Sequence, residues 1–414
     1  MKKVDILIKN ASELVTLQGK SSPRARDEMR QLSILKNGSI AITDGVIVEI
    51  GKTINCDASV VFDARGKTVM PGFVDAHTHL VFAGSREFEL DMKLHGLSYM
   101  DILQKGGGIF YSVEQTRKAS KQTLFSESKK RLDTMLSYGT TSCEAKSGYG
   151  LDTATEVKIL QVQQQLNTNH CVDIASTFLG AHAVPQGFES DEYIKVLVDE
   201  MLPKVQGLAE FCDVFCEKGV FTPKQSKMVL EAAKQYGLTA KIHADEIVDT
   251  GGAQLAADVK AISADHLLRS NNSGLKAMAD ASVIGVLLPG TPFCLMMNEY
   301  ADARTMISHG VAVALATDLN PNCYSENMQL MIQLACFNMK MTAAEAVTAA
   351  SFNAACAIGM QDRIGSLEVG KQADVIILDC PSHLFLAYHF GVNLVDTVIK
   401  KGKVVVEKDY NLLD

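Results

Sequence analysis

The stretch Phe73-Val74-Asp75-Ala76-His77-Thr78-His79 joins a short apolar run to two histidines that are separated by one residue. Side chains two positions apart in an extended chain point to the same side, so His77 and His79 are expected to share one face. Two imidazole nitrogens on one face suit a single metal cation. The stretch therefore predicts a buried strand that ends in a pair of metal ligands.

Seven similar apolar runs follow, and segments with helical periodicity separate most of them. The eight runs span residues 73–76, 140–144, 172–178, 210–215, 239–242, 261–264, 283–288 and 311–316. The helical segments span residues 113–137, 154–166, 191–205, 223–236 and 274–281. Eight buried strands that alternate with helices over about 250 residues predict an α/β fold, a (β/α)8 TIM-type barrel. A doubly wound sheet is the alternative, but it usually has fewer strands, and no glycine-rich dinucleotide turn follows the first run.

Both ends of the chain differ from this middle part, because they contain short strand-like runs and hairpin turns. The strand-like runs span residues 4–8, 34–42, 46–50, 374–378, 395–400 and 403–407. The polar stretch 19–30 is expected to be an exposed loop. We therefore predict a small β-sandwich domain formed by residues 1–70 and 365–414, with the barrel inserted between them as residues 71–364.

Three further polar side chains stand at the ends of later runs, namely His243, His266 and Asp318. The carboxyl ends of barrel strands converge on one rim, where the active sites of such barrels lie. His77 and His79 are therefore expected to meet these three side chains in space. Each residue alone has an ordinary alternative, because a lone histidine beside a strand usually belongs to the core and a lone aspartate after a strand usually caps a helix. For the whole set, that alternative requires five coincidences.

Imidazole and carboxylate groups of this kind suit Zn²⁺, and iron or another divalent ion is the alternative. A metal site with an open position can hold a water molecule and lower its pKa to about 7. Glu246 lies three residues after His243, close enough to move a proton in the same cavity. If His266 is not a ligand, it can polarise a substrate carbonyl or stabilise the oxyanion that forms.

The composition argues against several other classes of protein. The 414 residues carry 40 Lys and Arg against 48 Asp and Glu, a net charge of -8, so we expect no nucleic-acid partner. The ten cysteines are scattered without a CxxC pair, which gives no sign of a disulfide scaffold. No run approaches 18 apolar residues and the start lacks the apolar core of a signal peptide, so we expect a cytoplasmic protein without a membrane partner.

Several motifs carry a resemblance to a known family. Residues 71–79 and Leu367-Glu368-Val369-Gly370-Lys371-Gln372-Ala373-Asp374 resemble the opening and closing motifs of the metal-dependent amidohydrolase superfamily. A closer resemblance, to the imidazolonepropionase family of histidine degradation, extends over essentially the whole chain. It rests on Phe82-Ala83-Gly84-Ser85-Arg86-Glu87-Phe88-Glu89, Gly106-Gly107-Gly108-Ile109, Glu144-Ala145-Lys146-Ser147-Gly148-Tyr149-Gly150, Phe178-Leu179-Gly180-Ala181-His182, His243-Ala244-Asp245-Glu246 and Thr317-Asp318-Leu319-Asn320-Pro321.

The resemblance implies hydrolysis of the cyclic amide of 4-imidazolone-5-propanoate to N-formimidoyl-L-glutamate. It implies one Zn²⁺ or Fe³⁺ per chain, held by His77, His79, His243 and Asp318. It implies contacts with the substrate or product from Arg86, Tyr149, His182, Glu246 and Asn320. The catalytic residues are then Glu246, His266 and Asp318, and their spacing leaves open how the two carboxylates divide the proton transfer. The family often forms homodimers, and nothing in the sequence contradicts that.

A small ring with a carboxylate tail is compatible with these residues as the partner molecule. Arg86 offers a planar fork that matches a carboxylate, although a solvated loop arginine is the alternative. Tyr149 stacks on the ring or simply packs, and His182 is either a rim residue or a loop histidine. The triple glycine at 106–108 lacks the Lys-Ser or Lys-Thr of a phosphate-binding loop and is expected to form a flap over the site.

Two positions depart from the family pattern. The family usually has Gly and then Ser or Thr where this chain has Asn322 and Cys323, at positions that ordinarily touch the substrate or product. Asn322 adds bulk and is expected to need an unusual backbone conformation. Cys323 replaces a hydroxyl with a weaker hydrogen-bond donor. Both changes are expected to affect the binding of the substrate's tail rather than the metal site.

Two other functions remain as alternatives. The first is an amidohydrolase that deaminates a purine or pyrimidine base, which would share the metal site. Arg86 and the Tyr149 stretch favour an anionic tail instead. The second is a barrel scaffold that has lost catalysis. Such a chain would be expected to lack at least one ligand, and all of them are present here.

Overall fold

The strands of the described residues fall into three sheets, and helices cover the largest of them. The computed structural model describes residues 2–97 and 99–408. The strands are β1 (Lys2–Ala11), β2 (Glu13–Val15), β3 (Ile34–Leu35), β4 (Gly38–Thr43), β5 (Val46–Gly51), β6 (Cys56–Asp63), β7 (Thr68–Pro71), β8 (Phe73–Asp75), β9 (Thr140–Lys146), β10 (Asp173–Ala181), β11 (Phe211–Cys216), β12 (Thr239–Ala244), β13 (Ser263–His266), β14 (Ile284–Leu287), β15 (Val313–Leu315), β16 (Val375–Leu378), β17 (Val395–Lys400) and β18 (Lys403–Glu407). The α-helices are α1 (Glu87–Leu94), α2 (Tyr99–Gln104), α3 (Ile109–Lys118), α4 (Lys121–Ser137), α5 (Thr153–Asn169), α6 (Ser190–Lys195), α7 (Leu202–Val205), α8 (Pro223–Gln235), α9 (Gly252–Asp258), α10 (Asn272–Asp280), α11 (Gly290–Cys294), α12 (Ala303–His309), α13 (Met328–Asn338), α14 (Ala343–Ala349), α15 (Phe352–Ala357) and α16 (Phe385–Tyr388).

The central sheet is a parallel barrel. From β8 to β15, each strand pairs with the next one along the chain. The sheet closes between β8 and β15, where the Asp75 carboxylate accepts hydrogen bonds from the backbone N–H of Thr317 at 3.0 Å and from its hydroxyl at 2.6 Å. The backbone N–H of Asp318 donates to the carbonyl of His77 at 3.1 Å across the same seam. The predicted (β/α)8 barrel is confirmed, and each of the eight apolar runs overlaps one of its strands.

The helices surround this barrel, which explains why its strands are apolar on both faces. Every residue of β8, β9 and β10 is buried, as expected for parallel strands that are covered inside and outside. The predicted helix 113–137 is instead two helices, because Ser120 caps α4 by accepting a hydrogen bond from the N–H of Thr123. The predicted helix 191–205 contains a π-helical segment, Val196–Met201, between α6 and α7. Across residues 2–97 and 99–408, no helix is both long and apolar enough to cross a membrane.

Two smaller sheets come from the two ends of the chain. One has the strand order β5-β4-β1-β6, and the other has the order β18-β17-β16-β7-β2-β3, so both ends contribute to the second sheet. Apolar side chains of both sheets, including Ile8, Ile40, Val69 and Ile377, form a separate core. This is the arrangement of the predicted β-sandwich, while the domain boundaries at residues 70/71 and 364/365 stay a prediction.

The polar stretch 19–30 is not simply the exposed loop that its composition predicts. Met29 and Arg24 are buried in it, and Arg26–Arg30 forms a 3₁₀ helix. The Arg24 guanidinium donates to the backbone carbonyls of Leu17 and Gln31. Carbonyl partners allow a charged group to be buried, and a pattern of polar residues does not reveal them.

Candidate active site

The polar residues at the strand ends meet at one rim of the barrel. His77 and His79 follow β8, His243 lies near the end of β12, His266 ends β13, and Asp318 follows β15. All five side chains are buried. The rings of His77 and His243 have centroids 4.6 Å apart, and the rings of His243 and His266 have centroids 5.1 Å apart. The barrel thus gathers residues from distant parts of the chain, as the sequence predicts.

Three of the histidines form a group that could hold a metal ion. One nitrogen from each of His77, His79 and His243 lies within 4.8 Å of the others. The Oδ1 atom of Asp318 lies 3.5 Å from Nε2 of His77 and 3.7 Å from Nε2 of His79. Asp318 therefore faces the same small space as the three imidazoles.

Each imidazole of this group has a buried nitrogen that lacks a hydrogen-bond partner among the described residues. These buried atoms are Nε2 of His77, Nδ1 of His79 and Nε2 of His243. A buried polar atom without a partner is unfavourable unless a ligand satisfies it. A cation would supply the missing partner, so these residues fit a metal ion by their donor chemistry as well as by their spacing.

Carboxylates behind the histidines set the direction in which the imidazoles face. Nδ1 of His77 lies 2.6 Å from Oδ2 of Asp265, and Nδ1 of His243 lies 2.9 Å from Oδ2 of Asp213. An N–H on Nδ1 of His77 donates to the carboxylate, which leaves the lone pair of Nε2 directed at the cavity. A carboxylate in this place fixes the tautomer and orientation of a ligating histidine.

Burial keeps most of these imidazoles neutral. It lowers the pKa of His77, His79 and His266 well below the ordinary value, and neighbouring positive groups add to the effect. At His243 burial acts in the same direction, but the Asp213 carboxylate outweighs it and raises the pKa. A neutral imidazole keeps the lone pair that a metal ligand needs.

The carboxylate of Asp318 is held in a defined orientation. Its Oδ2 atom accepts a hydrogen bond from the Thr291 hydroxyl at 2.7 Å, which leaves Oδ1 directed at the histidines. Its backbone φ is 53°, a left-handed conformation that few residues other than glycine adopt. Burial raises the pKa of Asp318, and the hydrogen bond from Thr291 partly offsets that rise.

Glu246 and His266 form a second pair beside the metal-ligand group. Oε1 of Glu246 lies 3.7 Å from Nδ1 of His266, a buried nitrogen that has no hydrogen-bond partner in the described part of the chain. Burial and the neighbouring Asp318 carboxylate raise the pKa of Glu246 to about 8. At neutral pH the Glu246 carboxyl is therefore mostly protonated and can donate a proton.

Aromatic rings lie beside the group of candidate metal ligands. The imidazole of His182 stacks on that of His79, with centroids 4.8 Å apart and an interplanar angle of 15°. Tyr149 stands edge-on to both rings, at 5.5 Å from His79 and 5.3 Å from His182. An N–H of His182 donates to the carbonyl of Gly148 at 3.0 Å, and burial lowers the pKa of this histidine to about 3. Both residues of the predicted ring-binding pair are thus beside a predicted metal ligand.

Arg86, predicted to bind a carboxylate, already contacts a carboxylate of this chain. Its Nε and Nη2 atoms donate to the two oxygens of Glu89, at 2.7 Å each, and both side chains are buried. Oε1 of Glu89 also accepts a hydrogen bond from the backbone N–H of Gly108 at 2.6 Å. Glu89 therefore links Arg86 to the start of α3. The glycine stretch that we expected to be a flap is held by this hydrogen bond at its last residue, Gly108.

The loop that follows Asp318 makes a tight turn through the two positions that depart from the family pattern. Oδ1 of Asn320 accepts hydrogen bonds from the backbone N–H groups of Asn322 at 2.8 Å and Cys323 at 3.0 Å. The unusual backbone expected at Asn322 is wrong, since its φ is not positive and Asn320 stabilises the turn. The Asn322 side chain accepts a hydrogen bond from the Lys93 ammonium at 2.8 Å, and Sγ of Cys323 lies 3.5 Å from Sγ of Cys294.

Sequence reasoning missed the charged residues beneath the site. The Lys146 ammonium, fully buried, lies 3.0 Å from Glu144, 2.7 Å from Asp213 and 3.2 Å from Asp265. Asp213 and Asp265 are the carboxylates that contact His243 and His77. The available signal was the presence of charged residues inside strands that are otherwise buried, because buried charges require a partner.

Comparisons of the whole sequence with known proteins give a consistent result. Residues 68–405 match the amidohydrolase family. The chain is 52% identical to the imidazolonepropionase of Geobacillus kaustophilus, over 97% of this chain and 98% of that protein. It is 50% identical to the imidazolonepropionase of Alkaliphilus metalliredigens, over 98% of this chain and 99% of that protein.

Solved structures share the fold at much lower identity. An adenosine deaminase from Xanthomonas campestris with bound zinc superposes with a TM-score of 0.74 at 20% identity, covering 98% of this chain and 94% of that one. An atrazine chlorohydrolase from Arthrobacter aurescens, complexed with zinc, gives a TM-score of 0.73 at 18% identity, covering 99% and 97%. These two likenesses support the barrel with its added terminal sheets.

Proposed function

This chain belongs to the amidohydrolase family and, within it, to the imidazolonepropionases, and on that premise we propose that it hydrolyses 4-imidazolone-5-propanoate. The product is N-formimidoyl-L-glutamate, in the pathway of histidine degradation. The oxygen of a water molecule adds to the ring carbonyl carbon, the bond from that carbon to the ring nitrogen breaks, and the nitrogen gains a proton. The observation that carries the proposal is the meeting of His77, His79, His243 and Asp318 at the rim, in a chain about half identical to named imidazolonepropionases.

The proposed cofactor is one Zn²⁺ or Fe³⁺ ion per chain. The residues that would hold it are His77, His79, His243 and Asp318, and the unpartnered nitrogens of the histidines support this assignment. When bound, such an ion polarises a carbonyl and lowers the pKa of a water molecule. Asp265 and Asp213 orient His77 and His243 for this task from behind.

Three side chains are proposed to move protons and stabilise charge. Asp318, held by the Thr291 hydroxyl, takes the proton of the attacking water. The neutral imidazole of His266 donates an N–H to the oxyanion that develops on the ring carbonyl. Glu246 is protonated at neutral pH and beside His266, so it supplies a proton to the leaving ring nitrogen.

The remaining site residues are proposed to bind the two ends of the substrate. Tyr149 and His182 present ring faces and edges beside His79, where the planar imidazolone ring would lie. Arg86 is the proposed partner of the propanoate tail, and Glu89 holds its guanidinium in a fixed plane. Asn320 stabilises the turn by accepting hydrogen bonds from the backbone of Asn322 and Cys323, and these two residues are proposed to border the propanoate tail.

Turnover of the proposed substrate is the direct test. The purified protein is incubated with 4-imidazolone-5-propanoate, and the loss of the ring's ultraviolet absorbance is followed while N-formimidoyl-L-glutamate is measured by mass spectrometry. We expect both signals together. Cytosine, guanine and adenosine are tested in parallel for ammonia release. Ammonia from a nucleobase, with no turnover of the imidazolone, would identify a deaminase instead.

Removal of metal tests the proposed cofactor and the inactive-scaffold alternative together. Dialysis against a chelator is expected to abolish turnover, and Zn²⁺ or Fe³⁺ is expected to restore it. Elemental analysis before and after dialysis gives the identity and number of ions per chain. Full activity in a rigorously metal-free sample would contradict the proposed chemistry. An intact fold without metal or turnover in the protein as purified would favour the scaffold.

A further inference from the structure

Two free thiols lie against each other at the edge of the candidate active site. Cys294 ends α11, after β14, and Cys323 lies in the loop that follows β15. Their Sγ atoms are 3.5 Å apart, and neither cysteine is in a disulfide. Cys323 is fully buried, whereas Cys294 is partly exposed. A small thiol reagent can therefore reach one member of the pair, while the other is held behind it.

The same two segments are also connected at the predicted metal ligand. Thr291 and Cys294 are three residues apart on α11, and residues at this spacing lie on one face of a helix. Thr291 donates to the Asp318 carboxylate at 2.7 Å, and Cys294 contacts Cys323. One helix face thus contacts the loop at Asp318 and again at Cys323. The sulfur pair and the hydrogen bond that orients Asp318 are therefore connected through one short helix.

We propose that Cys294 and Cys323 form a redox-active dithiol that low-molecular-weight disulfides convert reversibly to an intramolecular disulfide. The Cys294 thiolate attacks one sulfur of the small disulfide and expels one thiolate, which gives a mixed disulfide. The sulfur of Cys323 then attacks Sγ of Cys294, loses its proton, and expels the second small thiolate. In sum, two protein S–H bonds and one small S–S bond are lost, one protein S–S bond forms, and two small thiols are released.

The surroundings of the pair favour the first attack. The hydrogen bond between the two thiols lowers the pKa of Cys294. The Lys93 ammonium, held by Asn322 at 2.8 Å, interacts electrostatically with both sulfurs. A neighbouring cation stabilises a thiolate, and the thiolate is the form that attacks a disulfide. Among the described residues, no other two cysteine sulfurs are hydrogen-bonded to each other.

Oxidation is expected to disturb Asp318. The two sulfurs must approach from 3.5 Å to about 2.05 Å to form a bond. The surroundings are tightly packed, because a Cβ placed on Gly290 would lie only 3.2 Å from Sγ of Cys323 and 3.2 Å from Met331. The movement therefore falls on α11 and on the loop, and it strains the bond from Thr291 to Asp318. This consequence for activity rests on the proposed function, whereas formation of the disulfide does not.

Peptide mapping tests the disulfide without any assay of activity. The native protein is treated with oxidised glutathione, its remaining thiols are alkylated, and it is digested with trypsin and a glutamate-specific protease. Cleavage at Glu326 separates Cys323 from Cys336, and cleavage at Glu299 shortens the peptide that contains Cys294. We expect residues 277–299 joined to residues 305–326, and dithiothreitol is expected to release them. A stable mixed disulfide at Cys294, or no link while other thiols react, would overturn the proposal.

Turnover of the imidazolone substrate then tests the coupling to Asp318. We expect oxidised glutathione to reduce turnover about tenfold, the effect of disturbing a hydrogen bond to a charged group, and dithiothreitol to restore it. Cys294→Ser is expected to keep its basal activity and lose the response. The matched control Cys336→Ser, at a half-buried cysteine of α13, is expected to respond like the unmodified chain.

Three outcomes of the activity assay can be separated. A mapped link without loss of turnover would overturn the coupling to Asp318. A response that persists in Cys294→Ser would assign the effect to another thiol and overturn the proposal. If Cys294→Ser does not fold, Cys294→Ala replaces it. Absence of imidazolone turnover in reduced and oxidised protein alike would reject the proposed function, and the peptide map would still decide the dithiol.

Discussion

His77 and His243 show at the level of single residues which surroundings suit a buried histidine to bind a cation. Each ring has one nitrogen against a buried carboxylate, at 2.6 Å from Asp265 and 2.9 Å from Asp213 respectively, and its other nitrogen has no partner within the described residues. A buried polar atom without a hydrogen-bond partner is unfavourable by about 1–3 kcal/mol. A bound ligand that pairs with the free nitrogen would remove this cost. His266 differs from these two histidines, because its unpartnered Nδ1 faces Glu246.

Replacement of His77 and of His266 by alanine is therefore expected to have different effects. His77→Ala removes one member of the predicted ligand group and should lose bound metal together with activity. His266→Ala should keep the metal and reduce kcat about a hundredfold, because it removes a donor to the developing oxyanion. Elemental analysis and kinetics on the same preparations check both expectations. Loss of metal from His266→Ala would make His266 a ligand instead.

The strand β9 shows at the level of elements how one segment serves several parts of the site. Its Lys146 side chain points into the barrel and lies within 3.2 Å of the carboxylates of Glu144, Asp213 and Asp265. The loop that follows passes through Gly148, whose φ of 106° is open to glycine but strained for other residues. The carbonyl of Gly148 then accepts the hydrogen bond from His182. The buried charge beneath the site and the hydrogen-bond acceptor of His182 thus lie only two residues apart, at Lys146 and Gly148.

Removal of the buried ammonium is expected to destabilise the fold. Lys146→Met removes the ammonium that Glu144, Asp213 and Asp265 share, and in the described part of the chain only Glu144 keeps a second lysine, Lys241 at 3.1 Å. Breaking such a buried group of charges typically costs about 3 kcal/mol or more. Urea denaturation followed by circular dichroism measures the change in the free energy of unfolding. Lys130→Met, on the exposed face of α4, is the matched control and should change this free energy by less than about 0.5 kcal/mol. Equal effects of the two substitutions would contradict a role for Lys146 beneath the site.

Substitution of Gly148 tests the contact between the loop after β9 and the imidazole of His182. A Cβ on Gly148 would lie 2.9 Å from Nδ1 of His182 and 2.9 Å from the carbonyl of Leu179, so Gly148→Ala must displace the histidine. We expect kcat/KM to fall about tenfold more than in Gly187→Ala. Gly187 has a similar φ of 86° with no atom within 4 Å of the added Cβ, so it reports the backbone strain alone. Steady-state kinetics of both variants provide the comparison.

At the scale of the whole molecule, a buried group of charges joins the barrel to the terminal sheets. The Lys400 ammonium at the end of β17 lies 2.7 Å from Asp173, which begins β10, and 2.6 Å from Asp374, which precedes β16. Lys401 adds a second contact with Asp173 at 2.6 Å. Burial alone would raise the pKa of Asp173, but the two lysines outweigh it and lower the pKa to about 2. Protonation of Asp173 at low pH is therefore expected to weaken the contact between the barrel and the terminal sheet.

The lowered pKa of Asp173 predicts how stability changes with pH. A carboxyl with a folded-state pKa of about 2, against an ordinary value of 3.8, stabilises the fold above about pH 4. This contribution, about 2.5 kcal/mol, is lost as the pH falls from about 4 towards 2, with about half gone by pH 3. Between pH 7 and pH 3, the unmodified chain should lose about 1 kcal/mol more stability than Asp173→Asn. Urea denaturation at both pH values measures the difference, and equal losses would contradict the prediction.

The amino-acid sequence by itself determined the barrel and the main members of the candidate site. Buried parallel strands are apolar on both faces, so all eight strands were visible as apolar runs, and His77, His79, His243, His266 and Asp318 stand where those runs end. The place of Glu246 three residues after His243 added a candidate proton carrier. Motifs shared with a known family then added Arg86, Tyr149, His182 and Asn320, which periodicity alone would not have selected.

Only the tertiary structure decided which side chains contact one another. The pairing of Asp265 with His77, the place of Lys146 between carboxylates and the contact of Cys294 with Cys323 each join strands or loops far apart in the chain. A local pattern reports burial and direction because these follow from the backbone period. It does not report partners, because these depend on how the barrel closes and on which loops then face each other.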